Sequence, residues 1–131
     1  AIRPWQHVLE PLAGYMLVAE YLWNLPKQTT LLNWNFGPDL VDQKNVKDVA
    51  KMVVKIWGGE NKIEINEDKN KLHEANLLYL DCNKAKKELG WYPKWHIEDS
   101  IKNTVEWYKS FYDKSDIAEL SLKFLAKYNN L

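Results

Sequence analysis

The 131-residue sequence has a single cysteine, Cys82, and therefore cannot form an internal disulfide. This excludes a small disulfide-stapled fold and makes a reducing, cytoplasmic environment the expected one. Three widely spaced histidines and one cysteine do not make a zinc site, so we expect no metal ligands. The longest apolar run, Tyr15-Met16-Leu17-Val18-Ala19, is far shorter than a membrane span, and we expect no membrane contact.

Arginine is almost absent, because Arg3 is the only arginine among the 18 Lys and Arg residues. Acidic and basic residues balance to a formal net charge of +0, which argues against a nucleic-acid-binding protein. In a chain this rich in lysine, a lone arginine favours a position that needs a planar, five-donor guanidinium. Arg3 is therefore a candidate ligand for a phosphate or a carboxylate.

Catalytic motifs are also missing from the sequence. It contains no Gly-x-Gly-x-x-Gly, so there is no dinucleotide-binding fingerprint, and no tyrosine is followed by a lysine four residues later. No combination of nucleophile, base and orienting residue is recognisable. We therefore predict no catalytic and no cofactor-binding residues within this chain.

The composition of the chain, with 46% hydrophobic and 27% charged residues, is typical of a globular domain. This length suits one domain, residues 1–131, and the seven Trp and seven Tyr predict a core or a binding surface dominated by large rings. Because the sequence has no initiator methionine, we expect that it continues a longer protein.

Apolar periodicity and capping residues predict four longer helices and one short one. Their predicted ranges are Pro11 to about Leu25, Val46 to Trp57 after an Asn45 cap, Asp81 to Leu89, Ile97 to Tyr112, and Asp116 to Tyr128. Four short strands are predicted over Ile2–Val8, where Pro4 indicates a sheet edge, and over Leu31–Phe36, Lys62–Asn66 and Leu77–Leu80. The fold class is therefore α+β, a small mixed helical lobe with short strands that leans on a larger domain.

Two segments carry more specific information. The first is Arg3-Pro4-Trp5-Gln6-His7-Val8. The second runs from His73-Glu74-Ala75 through Leu80-Asp81-Cys82-Asn83-Lys84-Ala85, Leu89-Gly90-Trp91, Pro93 and Trp95 to Thr104-Val105-Glu106-Trp107-Tyr108. Together they resemble the C-terminal, substrate-binding lobe of extended short-chain dehydrogenase/reductases that act on nucleotide sugars. Arg-Pro-Trp-Gln-His-Val and His-Glu-Ala resemble the branch of CDP-glucose 4,6-dehydratases, and the resemblance extends from Arg3 to about Tyr128.

The resemblance implies a lyase that converts CDP-glucose to CDP-4-keto-6-deoxyglucose for deoxysugar and lipopolysaccharide synthesis. Its NAD and its catalytic residues would belong to an N-terminal Rossmann domain that is absent from this chain. The lobe by itself is then expected to be inactive and to expose an apolar patch where that domain docks. The resemblance also implies that the complete enzyme can form a homodimer whose contacts lie mostly outside this lobe.

The resemblance also assigns the candidate substrate-binding residues. Arg3 would contact the pyrophosphate of the nucleotide sugar, Glu74 would accept hydrogen bonds from the ribose hydroxyls, and His73 would line the same pocket. Gln6, like Trp5, would either flank the phosphates or pack beneath the sheet. His7 is interpreted as a structural residue that orients Arg3 or the start of the following helix.

Other interpretations remain open at this point. The chain could be the lobe of another nucleotide-sugar epimerase or dehydratase, or a free-standing helical module that binds a partner protein. Cys82, at a helix start, could be a thiol with a lowered pKa or a buried and inert one. We interpret the remaining aromatic residues of the family pattern as packing residues: Trp91, Trp95, Trp107 and Tyr108.

Overall fold

A computed structural model describes residues 1–26, 32–64 and 77–130. Over these residues the chain forms a small, mostly helical α+β lobe, as the sequence predicts. The helices are α1 (Leu9–Trp23), α2 (Val46–Trp57), α3 (Asn83–Leu89), α4 (Ile97–Tyr112) and α5 (Ile117–Asn129). The strands are β1 (Ile2–Arg3) and β2 (Lys44–Asn45), and a 3₁₀ turn spans Leu40–Asp42.

Local capping explains why the predicted helices begin and end close to the expected residues. The Asn45 side chain accepts a 2.9 Å hydrogen bond from Asp48 N at the start of α2, and Asp116 accepts one of 3.0 Å from Glu119 N at the start of α5. Gly90 ends α3 in the left-handed conformation at φ 64°. At α3 the side chain that accepts from the first turn lies one residue before the N-cap position. Asp81 accepts from Asn83 N, whereas Cys82 is the residue immediately before the helix.

The strand predictions are largely wrong within the described residues. Of Ile2–Val8 only Ile2–Arg3 is a strand, residues 32–36 and 61–64 have no regular structure, and Leu77–Leu80 contributes one bridge residue, Leu77. Leu31 and residues 65–66 lie outside the described residues. Side chains bind backbone carbonyls where ladders were expected, as when Asn35 Nδ2 donates to Asp81 O at 3.2 Å.

The small sheet joins the N-terminal segment to two later parts of the chain. Strands β1 and β2 are antiparallel, with Ile2 opposite Asn45 and Arg3 opposite Lys44. Ile2 also forms a parallel bridge with Leu77. The predicted edge position is therefore wrong at Ile2, which has neighbours on both sides. Pro4 is compatible with this arrangement because the strand ends before it.

Helix α1 turns an unusual side toward the core. Its buried residues are Glu10 and Gly14, and an added Cβ at Gly14 would lie 2.6 Å from the Phe36 ring. The apolar residues whose spacing predicts this helix are exposed instead: Leu12, Tyr15, Met16 and Leu22. The side chain at position 14 is absent because the Phe36 ring occupies that space.

Three clusters of buried residues form the core, and the aromatic residues of the family pattern contribute to two of them. Trp91 is buried with Phe36, Cys82 and Ala85, and Trp95 is buried with Phe124 and Tyr128. The third cluster lies between α2 and α4 and is built from Ile97, Ile101 and Val105. The packing prediction is thus confirmed for Trp91 and Trp95, whereas Tyr108 is 49% exposed. Among the described helices, none is both long and apolar enough to cross a membrane.

Candidate functional site

The first candidate residue, Arg3, lies at the end of β1, just before the chain turns toward α1. Its Nη1 donates a 2.9 Å hydrogen bond to the carbonyl oxygen of Ile2, and its own carbonyl oxygen accepts one of 3.0 Å from Trp5 N. Arg3 is partly buried. Its position is therefore set by the sheet rather than by a flexible terminus.

The segment that follows Glu74 in the sequence joins the same strand. Leu78 N donates a 3.2 Å hydrogen bond to Ile2 O beside the Ile2–Leu77 bridge. Leu77 follows Glu74 by three positions in the sequence. His73 and Glu74 themselves lie outside the described residues. The structure thus brings the described end of the second family segment next to the first.

Gln6 is held within the lobe by its side-chain amide. Its Nε2 donates to Phe36 O at 2.9 Å, while its Oε1 is buried without a hydrogen-bond partner. Trp5 is fixed in the same way, since its Nε1 donates to Lys44 O at 3.1 Å. Both residues line an apolar cavity of about 210 Å³ between α2 and α4. These contacts anchor Trp5 and Gln6 inside the lobe, and the substrate role of Gln6 stays a prediction.

His7 supports the start of α1, which confirms its interpretation as a structural residue. Its Nδ1 accepts a 3.2 Å hydrogen bond from Leu9 N, and its carbonyl oxygen accepts one of 3.0 Å from Glu10 N. The ring packs edge-on against Trp95 at 4.7 Å between centroids. Burial lowers the pKa of His7 below its ordinary value, so the neutral ring that can accept this bond is favoured.

A second, more polar cavity of about 400 Å³ is lined by residues 38–40, by residues 79–83 and by Lys86 of α3. At its rim Lys86 Nζ and Asp39 Oδ1 form an ion pair at 2.7 Å. Cys82 lines the cavity and is buried, and burial raises the pKa of its thiol. A thiol with a raised pKa is a poor nucleophile at neutral pH. The interpretation of Cys82 as an activated thiol is therefore wrong.

Glu10 is a buried carboxylate that the sequence analysis did not single out. It is 0% exposed, and its oxygens accept hydrogen bonds from Trp95 N at 2.8 Å, Lys94 N at 3.1 Å and the Tyr128 hydroxyl at 2.7 Å. The Glu10 carbonyl oxygen also accepts from Trp91 Nε1 at 3.0 Å. A charge without solvent needs such donors. The glutamate therefore joins α1 to the turn before α4 and to α5. The signal available in the sequence was the helical glycine one turn later, Gly14.

Asp42 is the second buried acid that sequence reasoning missed. Its Oδ1 accepts a 3.0 Å hydrogen bond from Ile97 N, the first residue of α4, and its Oδ2 lies 2.9 Å from His96 Nδ1. This hydrogen bond with Asp42 raises the pKa of His96, and the charge of Asp42 adds to the effect. Asp42 thus caps α4 from a distant part of the sequence, which local patterns do not reveal.

The described residues do not fit a bound dinucleotide. A helix that holds a pyrophosphate normally opens with a Gly-rich turn. Here the residues immediately before the five described helices are Val8, Asn45, Cys82, His96 and Asp116. In the described ranges no group of three or more His, Cys, Asp or Glu could hold a metal ion.

Residues 1–104 match the family described as GDP-mannose 4,6 dehydratase. CDP-glucose 4,6-dehydratase from Salmonella typhimurium (strain LT2) is 38% identical over 128 residues, which cover 98% of this chain and 35% of that protein. The chain thus spans about a third of the length of this relative.

Two further relatives act on other nucleotide sugars by name. A trifunctional UDP-glucose 4,6-dehydratase, 3,5-epimerase and reductase from Arabidopsis thaliana is 33% identical over 66 residues, which cover 50% of this chain and 10% of that protein. A UDP-glucuronate 4-epimerase from Thermodesulfobacterium geofontis is 29% identical over 82 residues, with 50% of this chain and 25% of that protein covered. The family match extends over most of the sequence, including the Arg3 and Glu74 segments. The chain therefore belongs to the GDP-mannose 4,6 dehydratase family of nucleotide-sugar dehydratases.

Proposed function

We propose that this chain is the nucleotide-sugar-binding lobe of a 4,6-dehydratase that converts CDP-glucose to CDP-4-keto-6-deoxyglucose. In this proposal Arg3 binds the pyrophosphate, Glu74 binds the ribose hydroxyls, and His73 and Gln6 line the pocket. The similarity to a CDP-glucose 4,6-dehydratase over 98% of the chain supports the choice of substrate.

The hydrogen bond from Leu78 N to Ile2 O is the observation that carries the proposal, because it joins the two segments that supply the candidate ligands. Arg3 follows Ile2 directly, and Leu77 and Leu78 follow the His73-Glu74 segment closely in the sequence. A guanidinium binds a diphosphate through parallel charge-assisted hydrogen bonds, and a carboxylate accepts from a pair of ribose hydroxyls. These chemistries suit adjacent parts of one nucleoside diphosphate.

The reaction would also need NAD, which we assign to a Rossmann domain outside this chain because the described helix starts offer no dinucleotide cradle. The exposed apolar side of α1 is a suitable surface for that domain to cover. It comprises Val8, Leu12, Tyr15, Met16, Leu22 and Trp23. Contiguous exposed apolar surface of this kind marks interaction sites in soluble proteins. Docking there would leave the Arg3 end of the lobe at the junction of the two domains.

The proposal is tested by measuring the affinity of the complete protein for CDP-, dTDP-, UDP- and GDP-sugars by calorimetry. CDP-glucose is expected to bind most tightly, and Arg3→Gln is expected to weaken binding by roughly tenfold or more, since it removes charged hydrogen bonds. Arg3→Lys, which keeps the charge without the fork, should recover only part of the loss. Equal affinity for all four nucleotides would remove the CDP assignment.

The assignment of catalysis to another domain has its own test. The purified 131-residue chain, incubated with CDP-glucose and NAD⁺, is expected to form no 4-keto product, whereas the complete protein should form it. Product formation by the chain alone would overturn this part of the proposal.

A further inference from the structure

Lys44 lies directly opposite Arg3 in the antiparallel pair of β1 and β2. Side chains of directly opposed residues stand on the same face of a sheet, with Cβ atoms about 4.5–5.5 Å apart. The sheet therefore places a second positive charge beside the only arginine of the chain.

The backbone at Lys44 is held on several sides. Trp5 Nε1 donates to Lys44 O at 3.1 Å, Val46 N donates to Ala1 O at 3.3 Å, and Asn45 caps α2 through its 2.9 Å bond from Asp48 N. The lysine thus projects from a fixed position at the junction of β2 and α2. A fixed point of departure lowers the entropy lost when a long side chain binds a ligand.

Nearby acidic side chains are committed to other partners. Asp42 binds Ile97 N and His96, and Asp48 Oδ2 accepts a 2.7 Å hydrogen bond from Asn45 Nδ2. Across residues 1–26, 32–64 and 77–130 the ion pairs of 4.0 Å or less do not include Lys44. Within the described residues its charge is therefore not committed to an acidic partner.

We propose that Lys44 is a second ligand of the nucleoside diphosphate, next to Arg3; this inference rests on the proposed function. A diphosphate carries more negative charge than one guanidinium neutralises. Arginine supplies the planar fork and lysine the compact charge, a combination suited to two adjacent phosphates.

The test compares the binding of CDP and CMP to the complete protein by calorimetry in four variants: Lys44→Gln, Lys44→Arg, Arg3→Gln and Lys51→Gln. Lys51 is an exposed lysine on α2, and its replacement controls for the lost charge. Lys44→Gln is expected to weaken CDP binding about tenfold and CMP binding less, whereas Lys44→Arg and Lys51→Gln should stay near the wild type.

Unfolding curves of the ligand-free variants provide a second measurement. Lys44→Gln is expected to be about as stable as the wild type, because no ion pair among the described residues is lost with Lys44, and to show a smaller stabilisation by CDP. A loss of stability without ligand would indicate a structural lysine and overturn the inference.

The outcomes separate this inference from the proposed function. If Arg3→Gln weakens CDP binding and Lys44→Gln behaves like Lys51→Gln, the role of Lys44 is wrong and the proposed function stands. If Lys44→Arg binds as poorly as Lys44→Gln, charge at this position is not what matters, and the inference again fails. If the wild type does not bind CDP, or neither Arg3→Gln nor Lys44→Gln changes the affinity, both proposals fail.

Discussion

The Tyr128 hydroxyl donates a 2.7 Å hydrogen bond to Glu10 Oε2 and so joins the first helix of the lobe to the last. Both residues are buried, and Glu10 completes its hydrogen bonding with the backbone N–H groups of Lys94 and Trp95. Three segments that are distant in sequence thus meet at one carboxylate. This relationship links the stability of the lobe to the start of α1, which follows the Arg3 segment directly.

Glu10→Gln is expected to lower the free energy of unfolding by about 1–3 kcal/mol. The reason is that the glutamine amide has one acceptor oxygen, whereas in the wild type the donors bind two carboxylate oxygens. Tyr128→Phe should cost about 1–2 kcal/mol, since it removes one donor to a charged group. Urea denaturation measures both. Tyr112→Phe is the matched control, because the Tyr112 side chain is largely exposed, and it should be silent. Equal stability of Glu10→Gln and the wild type would contradict the buried network.

Tyr128 also predicts how the lobe responds to alkaline pH. Burial, and then its hydrogen bond to Glu10, raise the pKa of Tyr128 well above its ordinary value. The folded state holds the hydroxyl proton of Tyr128 more tightly than the unfolded state does. The resulting contribution to the free energy of unfolding is complete below about pH 10 and is lost as the pH rises above it. Stability should therefore fall more steeply above pH 10 in the wild type than in Tyr128→Phe. Parallel curves for the two proteins would show that Tyr128 does not titrate on unfolding.

The His96–Asp42 pair predicts a second pH effect near neutrality. Since the hydrogen bond with Asp42 raises the pKa of His96, the folded state binds the proton more tightly. The stabilisation of the fold by protonated His96 is present below about pH 6.5 and is lost as the pH rises through the raised pKa of His96. His96→Asn should abolish this loss, as measured by thermal unfolding between pH 5.5 and 8. Burial shifts the pKa of His7 in the opposite direction, so the comparison needs His7 intact in both proteins.

Gly14→Ala tests the close approach of α1 to the Phe36 ring. An alanine normally stabilises a helix interior by up to about 1 kcal/mol over glycine. Here the new Cβ would lie 2.6 Å from the ring, so we expect a net loss of about 1–2 kcal/mol in unfolding free energy. Phe36→Leu in the same protein should recover part of the loss. A stabilised single variant would show that the ring moves aside freely.

The exposed side of α1 predicts self-association of the purified chain. Met16 is 73% and Trp23 89% exposed, on the side of α1 that also carries Leu12 and Tyr15. Met16→Glu is expected to shift sedimentation velocity profiles toward monomer, because it places a charge within the apolar surface. Leu122→Glu, on the exposed side of α5, is the control and should leave association unchanged. Equal effects of the two substitutions would argue against a specific surface on α1.

The helices were predictable because their signals are local. Asn45, Asp116 and Gly90 act on backbone groups within a turn of themselves, and α4 spans the residues that its periodicity predicts. The strands were not predictable in the same way. A two-residue strand such as Lys44–Asn45 has too few side chains to show an alternating pattern, and its existence depends on a partner far away in sequence.

The sequence by itself determined the α+β class, the helices with their caps at Asn45, Asp116 and Gly90, and the two family segments that carry Arg3 and Glu74. Only the tertiary structure decided which side of α1 is buried, and it did so through the Phe36 ring against Gly14. It also decided that Glu10 and Asp42 are buried acceptors and that Lys44 stands opposite Arg3. The physical reason is the same in each case: capping and periodicity act over a few residues, whereas burial and strand register depend on segments that meet only in the folded chain.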